Sequence, residues 1–174
     1  FNTVARIIVG MGSALELASQ CAQLGVTRPL LVTDPGLMAI GLVQPILAAM
    51  EKAGCMPLVF DQVREDPPEA TVLAAVALAR NGSVDGVIAV GGGSSMDVAK
   101  VVSVLLSGEQ TLAEMYGVGK VTGGRLPLVL VPTTAGTGSE VTPVAIITTG
   151  ETTKAGVSSP VLLPDVAVLD AALT

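Results

Sequence analysis

The stretch from Gly86 to Lys100 constrains the fold more than any other. Gly86-Val87-Ile88-Ala89-Val90 is an unbroken apolar run, the pattern of a strand buried on both faces. Gly91-Gly92-Gly93-Ser94-Ser95 follows at once, and a helix is expected from about Ser95 to Leu106. A doubly buried strand that turns straight into a helix belongs to a mostly parallel sheet covered by helices, because parallel neighbours need a crossover connection. Glycines at that turn carry no Cβ to hold a ligand away from the backbone. The free N–H groups and positive dipole end of the helix behind them suit a pyrophosphate. The loop has neither the Gly-Lys-Ser/Thr ending of a Walker A loop nor the G-x-G-x-x-G spacing. Taken alone it is also compatible with a tight turn and an ordinary serine cap. On that reading Asp97 complements the helix N-terminus and Lys100 lies on a solvated face.

The rest of the chain repeats the strand–helix alternation. Val4–Val9 reads as a strand, then a helix from about Ser13 to Leu24 with Ser13 and Glu16 as a capping box. Pro29–Thr33 is a strand closed by Asp34-Pro35-Gly36, and a helix to about Ala53 leads to the strand Pro57–Phe60. Asp66-Pro67-Pro68-Glu69 is expected to start a helix capped by Asp66 and running to Arg80. Ser107 to Arg125 reads as loop with one short helix near Leu112–Tyr116, and Leu126–Val131 as a buried strand. Val141–Thr148 and Thr153–Ser158 flank a turn and predict an antiparallel hairpin, and Val166–Leu169 is the final strand. One Rossmann-like α/β domain over residues 1–174 is the expected architecture.

Composition narrows the chemistry. Nine Lys and Arg against 15 Asp and Glu give a net charge of −6, which argues against a nucleic-acid partner. Half the residues are apolar and 14% are charged, with mean hydropathy +0.70. That excludes disorder and predicts an apolar face covered by something outside this sequence. No apolar run reaches the roughly 18–20 residues of a membrane helix. There is no histidine, so the commonest metal ligand and general base are missing. Cys21 and Cys55 read as small buried hydrophobes. The opening residues show no targeting pattern, so a cytoplasmic location is expected. A start without Met and an end in mid-pattern predict a piece of a longer protein.

Two further segments carry candidate chemistry. Between Thr133 and Thr142, hydroxyls at Thr133, Thr134, Thr137, Ser139 and Thr142 follow a buried strand, at the end of a parallel sheet where open α/β folds bind ligands. A turn-rich solvated loop is the plainer reading of the same composition. Asp34, at the end of the second strand, could accept both ribose hydroxyls of an adenosine and repel a 2′-phosphate, or could simply cap the next helix. Lys154 reads by default as a surface lysine.

Together these segments resemble the amino-terminal half of the iron-containing (group III) alcohol dehydrogenases, in the dehydroquinate-synthase-like fold. Gly91-Gly-Gly-Ser-Ser-Met-Asp-Val-Ala-Lys100 is similar to that family's G-G-G-S-x-x-D-x-x-K helix start. Pro132-Thr-Thr-Ala-Gly-Thr-Gly-Ser-Glu-Val-Thr142 is similar to its second signature, and Pro164-Asp-Val-Ala-Val-Leu-Asp170 to its P-D-x-A-x-x-D segment. The resemblance covers essentially the whole chain. It implies that Gly91, Gly92, Gly93, Ser94 and Ser95 hold the pyrophosphate of NAD, and that Thr133, Thr134 and Thr137 line the adenine and phosphate side. Thr142 and Lys154 would reach toward the nicotinamide ribose, and Asp34 would favour NAD over NADP. It also implies an alcohol or aldehyde substrate and a homodimer formed through an edge strand, for which Val4–Val9 is the candidate. The family's iron sits on one Asp and three His of an all-helical second domain, expected here after Thr174, so no metal ligand or catalytic residue is assigned within this chain. A glycerol or lactaldehyde-type polyol dehydrogenase of the same superfamily, and a nucleotide-binding module without catalysis, are the alternative functions.

Overall fold

Each central strand of the chain is apolar at every position, and the structure shows why: the two faces of one sheet carry two separate cores. In the computed structural model, which describes residues 2–174, six parallel strands form this sheet. They are β1 (Arg6–Val9), β2 (Pro29–Val32), β3 (Leu58–Phe60), β4 (Gly86–Gly91), β6 (Leu128–Pro132) and β9 (Val166–Leu169), in the order β1-β9-β6-β4-β2-β3. Because side chains alternate across a strand, Val87, Ala89, Leu128 and Leu130 enter one core with α4 (Glu69–Asn81) and α5 (Gly93–Leu105). Their neighbours Ile88, Val90, Val129 and Val131 enter the other, with α1 (Leu17–Gln23) and α3 (Gln44–Lys52). Cys21 and Cys55 are buried free thiols in this second core.

A second, three-stranded sheet joins β5 (Gly117–Val118) to β7 (Val144–Thr149) and β8 (Thr153–Ser158). The hairpin β7–β8 is antiparallel, in the register Thr149 with Thr153 to Val144 with Ser158. Its inward residues Ala145, Ile147 and Val157 pack into the α4–α5 core. The short strand β5 had no sequence signal, because it is only two exposed residues held by a non-local pairing to β8.

Several local expectations need correcting. The Ser13–Glu16 capping box does not form. Ser13–Glu16 is a 3₁₀ turn, and the Ser13 hydroxyl donates to the Gly10 carbonyl at 2.7 Å. Asp170, from the opposite end of the chain, supplies the acceptor instead. Its carboxylate takes the N–H groups of Gly12 (2.9 Å), Ala14 (3.0 Å) and Ala172 (3.0 Å). Burial opposes ionisation of Asp170, but these three donors outweigh it and hold its pKa below the ordinary value. Likewise Asp66 does not cap α4. That helix starts at Glu69 behind an extended Pro68, while Asp66 lies at φ 50 and pairs with Lys154. The single helix expected before Ala53 is two, α2 (Pro35–Ala39) and α3, separated by Gly41 at φ 75.

Candidate functional site

Four loops at the carboxyl ends of β2, β3, β4 and β6 surround an open cleft of about 540 Å³. Its position follows from the strand order. From β2 the chain moves outward to β3, and from β4 it moves the opposite way to β6 and β9, so the loops after β2 and β4 part at a topological switch point. Asp34, Gly92, Gly93, Ser94, Ser95, Thr133 and Thr134 all line this cleft. Seven sequence-derived candidates are therefore brought together from three separate segments.

The glycines have distinct reasons. Gly91 is buried at the end of β4, and a Cβ there would lie 2.6 Å from both Cβ and Oγ of Ser95. Glycine is thus what lets the first turn of α5 sit directly on the strand. At Gly92 a Cβ would come 3.3 Å from Oγ1 of Thr134, a tight contact that the exposed threonine would have to ease by a few tenths of an ångström. Gly92 is extended (φ −77, ψ −171), and α5 begins at Gly93, two residues earlier than the serine pattern suggests, with no side-chain cap. Ser94 and Ser95 fall in its first turn, where N–H groups have no partner within the helix. Asp34 accepts the Leu37 N–H at 2.9 Å through Oδ1, so it does cap α2 while lining the cleft.

Four candidates lie outside the cleft lining, Gly91 beneath it and three more beyond it. Thr137 is exposed in the loop facing Gly93, its Cβ 3.7 Å from where a Gly93 Cβ would stand. Thr142 Oγ1 lies 3.4 Å from Lys100 Nζ, and Lys154, on the hairpin, makes a 2.7 Å ion pair with Asp66. That pair, together with the Thr148 N–H donating to the Pro67 carbonyl at 2.9 Å, fastens the hairpin to the loop before α4.

Lys100 is not on a solvated face. It is fully buried, donating to the Val144 carbonyl at 2.8 Å, with Asp97 Oδ1 at 4.0 Å. Burial lowers its pKa from 10.5 to about 8, and the nearby carboxylates of Asp97 and Glu140 only partly oppose this. Burial also raises the pKa of Asp97, against the Ile146 N–H that its Oδ2 accepts at 3.0 Å. These two residues tie the cleft helix to β7.

The family model for iron-containing alcohol dehydrogenases matches residues 4–171. The chain belongs to that family. It is 42% identical over 172 residues to a 4-hydroxybutyrate dehydrogenase of Cupriavidus necator, covering 97% of this chain and 44% of that one. A 1,3-propanediol oxidoreductase crystal structure superposes with TM-score 0.95 at 32% identity, covering 100% of this chain and 46% of the other. A sulfoacetaldehyde reductase from Bifidobacterium kashiwanohense, solved in complex with NAD+, gives TM-score 0.92 at 32% identity, with the same coverage. The chain thus spans under half the length of these relatives.

An iron-containing family raises the question of the metal, and these residues do not fit one. The sequence has no histidine, and among the described residues no group of three or more Cys, Asp or Glu converges. No described helix is long and apolar enough to cross a membrane. Sequence reasoning missed Arg64 and Glu65, which line the cleft from the loop after β3. Their only signal was following a strand, and nothing in the sequence tells that β3 lies beside β2.

Proposed function

We propose that this chain is the dinucleotide-binding part of an NAD-dependent alcohol dehydrogenase, one that moves hydride between an alcohol or aldehyde carbon and the nicotinamide ring. The observation that carries the reading is the switch-point cleft, where the N-terminus of α5 and the carboxylate of Asp34 line the same space. In this reading the Gly92–Ser95 turn donates its backbone N–H groups and serine hydroxyls to the pyrophosphate. Gly91 supports them by letting α5 approach β4. Asp34 still has Oδ2 for ribose hydroxyls while Oδ1 caps α2. Thr133 and Thr134 line the opposite wall, and the exposed Thr137 flanks the phosphate side. Thr142 and Lys154 serve the nicotinamide ribose, Lys154 leaving Asp66 to do so. The cofactor supplies the hydride chemistry, and this chain binds and orients it. Iron, an all-helical domain and most substrate contacts belong to residues outside this sequence. The relatives' names cover hydroxy acids, diols and sulfonated aldehydes, so the proposal stops at the alcohol/aldehyde class.

Calorimetric titration tests this. NAD and ADP-ribose should both bind saturably, ADP-ribose keeping most of the affinity, while the chain alone oxidises no alcohol. Failure of both ligands to bind, or metal-stimulated alcohol oxidation by these residues alone, overturns the reading.

The same proposal places a homodimer contact on β1, an edge strand paired only with β9 among the described residues and carrying exposed Ile7 and Val9. Its open edge and apolar outer face invite strand addition. An Ile7→Lys, Val9→Glu variant should sediment as a monomer; an unchanged dimer places the contact elsewhere.

A further inference from the structure

The cleft carries one cation that the dinucleotide reading leaves without a task. Arg64 lines it from the loop after β3, next to the loop that bears Asp34, because β2 and β3 are paired neighbours. It is exposed, and among the described residues it makes neither an ion pair nor a side-chain hydrogen bond, so its guanidinium donors are free. Of the nine Lys and Arg in this acidic chain, it alone lines the cleft. Asp34 and Glu65 are the other charged groups there.

We infer that Arg64 is a latent reader of an anionic group on the adenosine ribose, unmasked once the Asp34 carboxylate is removed. The inference rests on the cleft holding an adenosine dinucleotide, as proposed above. A guanidinium matches a phosphate with two parallel N–H donors, which a ribose hydroxyl cannot exploit. With Asp34 present, a 2′-phosphate would meet that carboxylate and Glu65 against one arginine. Replacing Asp34 by a neutral residue leaves one carboxylate against one arginine, and the repulsion at the ribose disappears. Serine is the replacement of choice, because it also caps a helix and so preserves the start of α2.

The test is a double-substitution cycle read by calorimetry with NAD, NADP, ADP-ribose and 2′-phospho-ADP-ribose. Asp34→Ser should tighten NADP and 2′-phospho-ADP-ribose by about tenfold or more, and weaken NAD by removing its ribose acceptor. Adding Arg64→Ala to Asp34→Ser should cost the 2′-phosphorylated ligands at least about tenfold more than it costs NAD and ADP-ribose. Equal losses for both ligand pairs would show that Arg64 serves a group they share, and would overturn the inference. So would a double variant that holds NADP as well as Asp34→Ser does. If the wild type binds NAD and ADP-ribose but Arg64→Ala costs the Asp34→Ser protein no selective loss of the 2′-phosphorylated ligands, only this inference fails. If neither NAD nor ADP-ribose binds the wild type, the dinucleotide reading fails and takes the inference with it.

Discussion

Gly91→Ala should weaken NAD binding by at least about tenfold and lower stability by roughly 1–3 kcal/mol. The added Cβ would stand 2.6 Å from Cβ and Oγ of Ser95, closer than real Cβ contacts come. The Ser95 hydroxyl can rotate away, but its Cβ is fixed to the backbone of α5, so the first turn of the helix must move. That turn presents the N–H groups proposed to hold the pyrophosphate, and hydrogen-bond strength falls steeply with misalignment. Gly86→Ala provides the contrast. Its Cβ would meet both methyls of Val26 at 2.6 Å, at the far end of β4 and on the order of 16 Å away along the strand. It should lose stability to a comparable extent while leaving NAD affinity within about threefold. Urea unfolding and calorimetry on the two variants separate the effects. A Gly91→Ala protein that binds NAD as tightly as the wild type would show that α5 does not hold the dinucleotide.

What could be read in the sequence, and what could not, divides by the range of the interaction. Strands β4, β6 and β9 were legible because burial on both faces leaves a continuous apolar run, bounded by Gly or Pro at β4 and β6 and by Asp165 and Asp170 at β9. The glycine-serine turn and Asp34 were legible because strand ends in a parallel sheet are where ligands bind, whatever the strand order. The capping of the 3₁₀ turn at Ser13 was not, since its acceptor is Asp170 at the far end of the chain. A local rule assigned that task to Ser13 and Glu16 together, and a distant carboxylate took it. Arg64 was hidden for the same reason: its place in the cleft depends on which strand β3 pairs with. Lys100 is different, because a signal existed. Apart from Asp97, every residue of α5 from Ser95 to Leu105 is buried, and a helix that is apolar all round buries its polar residues too.

Lys100→Ala should destabilise the protein by about 3–5 kcal/mol, the range for removing one member of a buried charged group. The loss leaves the Val144 carbonyl without its 2.8 Å donor. It also strands Asp97 Oδ1 and Glu140 Oε2, neither of which has a hydrogen-bond partner among the described residues. Lys100→Met keeps most of the volume and removes the charge, so it isolates the electrostatic part and supplies a pH signature. Burial brings the folded pKa down to about 8 from an ordinary 10.5. Between those values the unfolded chain binds more protons than the native one, so this lysine makes stability rise with pH across that window, by up to roughly 3 kcal/mol. Other groups act in the opposite direction. Burial pushes the Cys21 thiol from 9.0 to about 12 and raises Cys55 and Tyr116, so each favours the folded state less as pH climbs past its unfolded value. The wild-type curve should therefore climb from about pH 8 to 9 and then turn over, because above 9 two thiols oppose the one lysine. Subtracting the Lys100→Met curve cancels the thiols and the phenol, and the difference should keep rising to about pH 10.5. A difference that is flat from pH 7 to 10.5 in urea melts would mean that Lys100 is charged and solvated in the folded protein, and that the cleft helix is not tied to β7 through it.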